Sequence, residues 1–340
     1  MRVLASLLLV PWLYACSSGM NAPSCGLCAD LTRPVGDSAP ADLVDLGDAA
    51  ARDMAASDLG TRRLWVQEDL PILSGIDLYG VHGTGPSDIF VVGDQGTILH
   101  SDGKAWARQD SKTGQRLLRV FALSPTNIYA TGDHVIVHSI DGRGWSVVYQ
   151  NSASPQLNGV IARRADDVYV VGDQGTILHA SDGQTFTPLV SGTTTSLHVP
   201  IRGSTGDVLI SGDQDLLRGA MGAPWVTVSV GRSEACMSLW ESPSGALFIA
   251  GDRGVILAST DERSFQLQPS ATTARLMDVW GLSSTNVYMV GRSGTILHSL
   301  DGQRWAAEAS GTTQQLNGIW GADPDNVYVV GLQGTLLRLR

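Results

Sequence analysis

Four histidines, His100, His138, His179 and His298, and five aspartates, Asp94, Asp133, Asp173, Asp213 and Asp252, are the side chains whose type and even spacing first suggest chemistry. Imidazoles and carboxylates hold metal ions, but only when several meet within roughly 2 Å of one centre. The spacing argues against that. Each histidine occupies the same place in a different repeat, so the expected role is a hydrogen bond from each imidazole to its own hairpin, with no metal and no cofactor. The aspartates each follow a glycine in a repeated turn, where Asp is favoured by turn chemistry alone. They are expected on one face, as an incomplete ring of carboxylates around a channel mouth that attracts a cation or a basic partner. Arg292 and Leu332 fill the last two places of that ring.

An enzyme needs convergent groups, and the sequence offers few. Arg119, Arg163 and Arg202 recur near the ends of equivalent segments, but at offsets of 2, 6 and 5 residues from the leading Leu117, Leu157 and Leu197, so they do not form a shared anion clamp. No serine elbow, H-E-x-x-H pair or phosphate loop is present. The Gly-x-x-Gly pieces join strand to strand and never open a helix, so no helix terminus faces a phosphate. The rival reading is a glycoside hydrolase or lyase that works at the channel mouth through Arg119 or Asp278.

The element that must position these residues is a repeat. Gly93, Gly132, Gly172, Gly212, Gly251, Gly291 and Gly331 mark seven units spaced by 39 or 40 residues. Each is rich in Val, Ile, Tyr and Trp with turn residues between, which indicates radial β repetition. A unit parses into four strands. The first carries Leu-x-x-Val/Ile-Trp, as in Leu276 to Trp280 and Leu316 to Trp320. An Asp or Asn opens the second, a Gly-Asp-x-Gly turn supplies positive φ, and Gly-Thr-Ile-Leu-His forms a third strand that is apolar on both faces. Asp-Gly then turns into an outer strand marked by Trp or Phe, as at Asp102-Gly103 to Trp106. Unit seven ends at Arg340 without its outer strand, while the region around Trp65 is an outer strand without a unit. Joining them closes the ring and removes both free edges. The expected fold is all-β: a seven-bladed β-propeller of about 40-residue, four-stranded blades over residues 61–340, its last blade closed by the strand near Trp65.

The units Ser-x-x-Asp-Val-Tyr-x-Val-Gly-x-x-Gly-Thr-Ile-Leu-His-x-x-Asp-Gly-x-x-Trp resemble the Asp-box (BNR-like) propellers. The likeness is greatest to the photosystem II assembly-factor-like family and to myxobacterial surface lipoproteins, and it covers about residues 65–340. It implies a protein-binding or assembly role. The chain departs from the pattern by placing Gly directly after Asp, and by losing the pair at Met221-Gly222 and Asp261-Glu262. The arginine patch by which that family is thought to dock has no counterpart here.

Broken repeats collect where function overrides folding consistency. Unit four has Pro200 in a strand, Asp215 for Gly and Arg218 for His; unit five has Cys236, Glu241 and Glu262. Arg202, Asp213, Gln214, Asp215 and Glu241 are therefore candidate members of a binding edge, together with the aspartates of the ring.

The chain of 340 residues carries 23 basic and 33 acidic side chains, a net charge of −10, which gives no reason to expect a nucleic-acid partner. Residues 1–15 read as an export signal: Arg2 precedes an apolar stretch too short to span a bilayer. Leu13-Tyr14-Ala15-Cys16 resembles a lipobox, with Cys16 the lipidated residue. Residues 16–60 are acidic and lack aromatics, so they are expected to be a disordered tether that reaches roughly 35–40 Å. Cys25 and Cys28 within it are expected to form a local disulfide in an oxidising compartment. The combined expectation is a monomeric, lipid-anchored module of the cell envelope, on the outer membrane, that binds a protein or polysaccharide without catalysis.

Overall fold

The computed structural model describes residues 63–71 and 75–340, so the export signal, Cys16, the tether and the Cys25–Cys28 pair lie outside the described residues. Seven antiparallel sheets of four strands make the blades of one ring. Blades one to seven are numbered here by their inner strands, which begin at Leu78, Leu117, Leu157, Leu197, Cys236, Leu276 and Leu316. The last sheet contains Leu316–Asp323, Asn326–Gly331 and Leu336–Leu339 from the C-terminus, with Trp65–Gln67 as its outer strand. Trp65 pairs with Leu339 in register, and Leu64 and Arg340 exchange backbone hydrogen bonds of 2.7 and 2.9 Å. The ring therefore closes through the segments that the repeat count left incomplete.

Local chemistry explains each turn. In Gly93-Asp94-Gln95-Gly96, Gln95 and Gly96 both have positive φ, 54° and 64°, and a Cβ on Gly96 would lie 2.0 Å from the Thr113 carbonyl. Only glycine fits there. At the other end, the Asp of each Asp-Gly pair accepts the backbone N–H groups two and three residues on: Asp102 from Lys104 and Ala105, Asp301 from Gln303 and Arg304, at 2.7–3.0 Å. Such bonds, led by that from Thr185, hold the Asp182 carboxyl down to about 2.

Blades are joined by an aromatic contact. The Phe or Tyr of one blade's second strand meets the outer-strand aromatic of the next blade edge to face. The pairs are Phe90 with Trp145, Tyr129 with Phe186, Tyr169 with Trp225, Phe248 with Trp305, Tyr288 with Trp65, and Tyr328 with Trp106, at 5.9–6.5 Å between centroids. Each pair contributes about 0.5–1.5 kcal/mol beyond its buried area. The four repeated histidines complete the joint. His100, His138 and His298 stack on the same Phe or Tyr and His179 packs on Tyr169 at a tilt of 46°, and all four hydrogen-bond through Nε2 to Asp88, Asn127, Asp167 and Asn286 of their own hairpins at 2.8–2.9 Å. They are structural, as their repetition predicts.

Trp65 makes the closing joint, and its indole also donates to Glu308 at 2.7 Å. Replacing Trp65 by Ala should cost about 3–5 kcal/mol, the usual range for a buried aromatic. Denaturant unfolding of the full chain reads this directly, and a loss below about 1 kcal/mol would mean that the closure is not a stabilising joint.

Candidate functional site

The seven inner strands line a central channel, and one side-chain pair crosses it. Arg119 of blade two donates through both Nη atoms to Asp278 of blade six, at 3.0 and 3.5 Å. Asp278 also accepts the Ser238 hydroxyl at 2.6 Å and the Ile319 backbone N–H at 3.1 Å, so both of its oxygens are occupied twice. Three blades thus converge on a carboxylate that sequence spacing alone did not connect to Arg119. A buried ion pair contributes little net stability, but removing either partner strands a charge. The bridge divides the channel into two cavities, of about 370 and 250 Å³, and Arg119 lines both.

The larger cavity is an aromatic cup. The fourth residue after the start of each inner strand faces it, as His82, Phe121, Ile161, Ile201, Trp240, Trp280 and Trp320. Space for the three tryptophans comes from the following blade: a Cβ at Gly281, Gly321 or Gly83 would come within 2.5–2.9 Å of the Trp240, Trp280 or Trp320 ring. Where the preceding blade has Ile161 or Ile201, that same place carries the larger Arg202 or Glu241. His82 lies between Phe121 and Trp320, with ring centroids 4.8 and 5.6 Å away. Its Nδ1 accepts the Ala122 N–H at 3.2 Å, so the proton of the neutral ring is on Nε2. Burial pushes its pKa down to about 4, against a smaller upward pull from Asp278, and the imidazole is neutral at pH 7.

The five expected ring aspartates occupy the turns at the opposite mouth. Each has a local donor: Tyr79 for Asp94, Arg116 and Gln156 for Asp133, Asn158 for Asp173, His198 for Asp213, and Arg275 for Asp252. The mouth therefore alternates carboxylates with their partners. Asp213 and Asp252 line one recess of about 330 Å³ with His198, Glu234 and Arg275. The expected binding edge is not one surface. Arg202 pairs with Val208 and Glu241 with Leu247 at the far ends of their strands, whereas Asp213, Gln214 and Asp215 follow Gly212, which pairs with Leu197. The five residue steps from Leu197 to Arg202 place the two groups about 17 Å apart, at opposite mouths. Asp215 does not line a mouth in any case: its Oδ1 accepts the Val230 N–H at 3.0 Å and caps the turn that lost its glycine. The three arginines also remain apart, since Arg163 is held by Asp167 at 2.8 Å within its own hairpin.

The irregular sequences of blades four and five form a matched set. Leu209 replaces the stacking aromatic, Arg218 replaces the histidine, and Glu262 of blade five replaces the glycine of the facing Asp-Gly turn. Glu262 keeps the positive φ of that turn, 53°, and is 2% exposed. Its carboxylate pairs with Arg218 and accepts the Ser204 N–H, while Arg218 pairs with Asp207 at 3.0 Å. An ionic joint stands where six other interfaces have an aromatic one. Burial raises the pKa of nearby Glu241, and Asp207 adds to that while Arg218 opposes it. Cys236 is a buried free thiol in the core, its pKa pushed up to about 12 by burial and so unreactive.

This coupling has a measurable form. Glu262→Gly should cost about 1–3 kcal/mol in the native chain, where it leaves Arg218 with Asp207 as its one carboxylate partner, and clearly less in an Arg218→His background. Chemical denaturation of the four proteins gives the coupling energy, and additive effects would show that the two substitutions are unrelated.

Comparison with known proteins is consistent with this geometry. The family model for photosynthesis system II assembly factor YCF48 matches residues 58–340. The structure of YCF48 bound to D1 peptide is 18% identical, with a TM-score of 0.68 over 81% of this chain and 96% of that one. YCF48 from Cyanidioschyzon merolae is 19% identical, with a TM-score of 0.68 over 82% and 99%. A catalytically inactive virginiamycin B lyase from Staphylococcus aureus, solved with quinupristin, is 10% identical, with a TM-score of 0.73 over 82% and 98%. At these identities the likeness is one of fold. Among curated proteins no relative matches.

Proposed function

On the premise that the chain belongs to the YCF48 photosystem II assembly-factor family, we propose that it is a non-catalytic binding module whose aromatic cup takes a segment of a partner protein. The observation that carries this reading is the occupied state of Asp278. A carboxylate that already accepts four hydrogen bonds has no lone pair left to act as a base, and it is the only carboxylate lining the cup among the described residues. The neutral His82 has its Nδ1 occupied as well. A glycosidase needs a second carboxylate about 5–10 Å away, and the cup supplies none. A YCF48 structure with a bound D1 peptide supports a protein partner in preference to a polysaccharide. We further propose that Cys16 is lipidated and that residues 16–60 link the propeller to the outer membrane.

A photo-crosslinking residue placed at exposed Thr84, beside the cup, should capture a discrete envelope protein, whereas one at Val190 on the outer wall should not. Equal capture at both, or release of sugars from a glycan panel that Arg119→Ala abolishes, would overturn the binding reading. Lipidation is checked separately: palmitate label on the full chain should disappear in Cys16→Ala, and label that persists would remove the anchor.

A further inference from the structure

The side chains of the cup divide by hydrogen-bonding sense. The carboxylate and the imidazole acceptor are in use: Asp278 by Arg119, Ser238 and the Ile319 N–H, and His82 Nδ1 by the Ala122 N–H. The donors are free. The indoles of Trp240, Trp280 and Trp320 have no hydrogen-bond partner among the described residues; of the outer-strand tryptophans, Trp65, Trp145 and Trp305 have one and Trp106 and Trp225 do not. None of the three free indole nitrogens is enclosed, nor is His82 Nε2. Arg119 spends two of its five N–H groups on Asp278. The bridge also cancels the charge of the guanidinium, so the cup is neutral, aromatic and rich in donors. The inner edges of the strands add backbone groups of both senses, which leaves the bias to the side chains.

We infer that the cup recognises a proline-rich segment in the polyproline II conformation. This deepens the proposed function and rests on it, since it names the kind of segment the partner presents. Proline offers a carbonyl acceptor and no N–H donor, and its ring is a flat apolar face suited to stacking on indole. Grooves lined by aromatic residues recognise such segments because the extended helix is already ordered before binding. A sugar is a poorer match. Its hydroxyls donate as often as they accept, and the carboxylate and imidazole acceptors of the cup are already taken. An anionic ligand is also disfavoured, because Arg119, the one Lys or Arg lining the cup among the described residues, is already neutralised by Asp278.

The test uses the full-length chain and a blocked octaproline peptide, followed by tryptophan fluorescence, with a blocked Gly-Ser octapeptide as control. Octaproline should bind saturably and the control should not. Trp320→Phe and His82→Phe each keep a ring and delete one N–H, and each should weaken octaproline binding by about threefold to tenfold. Unfolding midpoints of both variants identify any loss that comes from misfolding. Octaproline binding no tighter than the control, undiminished binding in both folded variants, or saturable binding of a neutral oligosaccharide in its place would overturn the inference. These failures are separable from failure of the wider reading: a protein crosslinked at Thr84 without octaproline binding sinks only the ligand class, and crosslinking at both positions sinks the site itself.

Discussion

The ring exists because one blade's second strand presents an aromatic side chain to the outer strand of the next. A four-stranded sheet twisted as these are has two apolar faces and cannot bury both alone. The edge-to-face pair fixes the angle at which neighbours meet, and the histidine stacked behind it fixes the rotamer of the Phe or Tyr. Each joint is modest. Closure makes their effects collective, because no blade can leave without opening two joints at once. The segment around Trp65 matters for this reason: it puts residues from the two ends of the ring into one sheet.

A repeat under this constraint can change only in matched sets. The two cases in this chain follow the same logic at different depths. Near the channel, a tryptophan in blades five, six and seven is accompanied by glycine in the next blade, because any Cβ there would meet the indole. Farther out, the Leu209, Arg218 and Glu262 set exchanges an aromatic joint for an ionic one. Glu262 accepts a left-handed backbone that the other blades give to glycine, a strained choice that makes sense only with Arg218 opposite.

How much of this was legible in the sequence depended on the range of the interaction. Blade number, strand order, the closing segment and the role of the histidines all followed from period and local turn chemistry, which act within about forty residues. The Arg119–Asp278 bridge did not, because its partners are 159 residues apart and occupy the same strand position in blades that are not neighbours. The aromatic cup was half visible. The Trp of Leu-x-x-Val/Ile-Trp was read as a mark of the first strand, and only the free indole nitrogens give it another meaning. Arg202 and Glu241 break the repeat visibly, but they lie at the end of their strands away from Asp213 and Gln214. Alternation along a strand shows which side a residue faces, whereas the mouth it reaches depends on the direction of the strand.

The bridge also explains how a propeller channel can be made selective without chemistry. An open channel lined by strand edges offers water and backbone groups of both senses, and it discriminates poorly. Closing it with a neutral ion pair does two things. It gives the cup a floor, and it consumes the only acidic acceptor lining the cup among the described residues while leaving donors on the indoles and the guanidinium. Both effects come from one carboxylate held by three blades, so the preference of the site is set by the rigid ring and not by a mobile loop. A partner meets a surface whose donors are already in place, and little ordering is needed on the propeller's side when it binds.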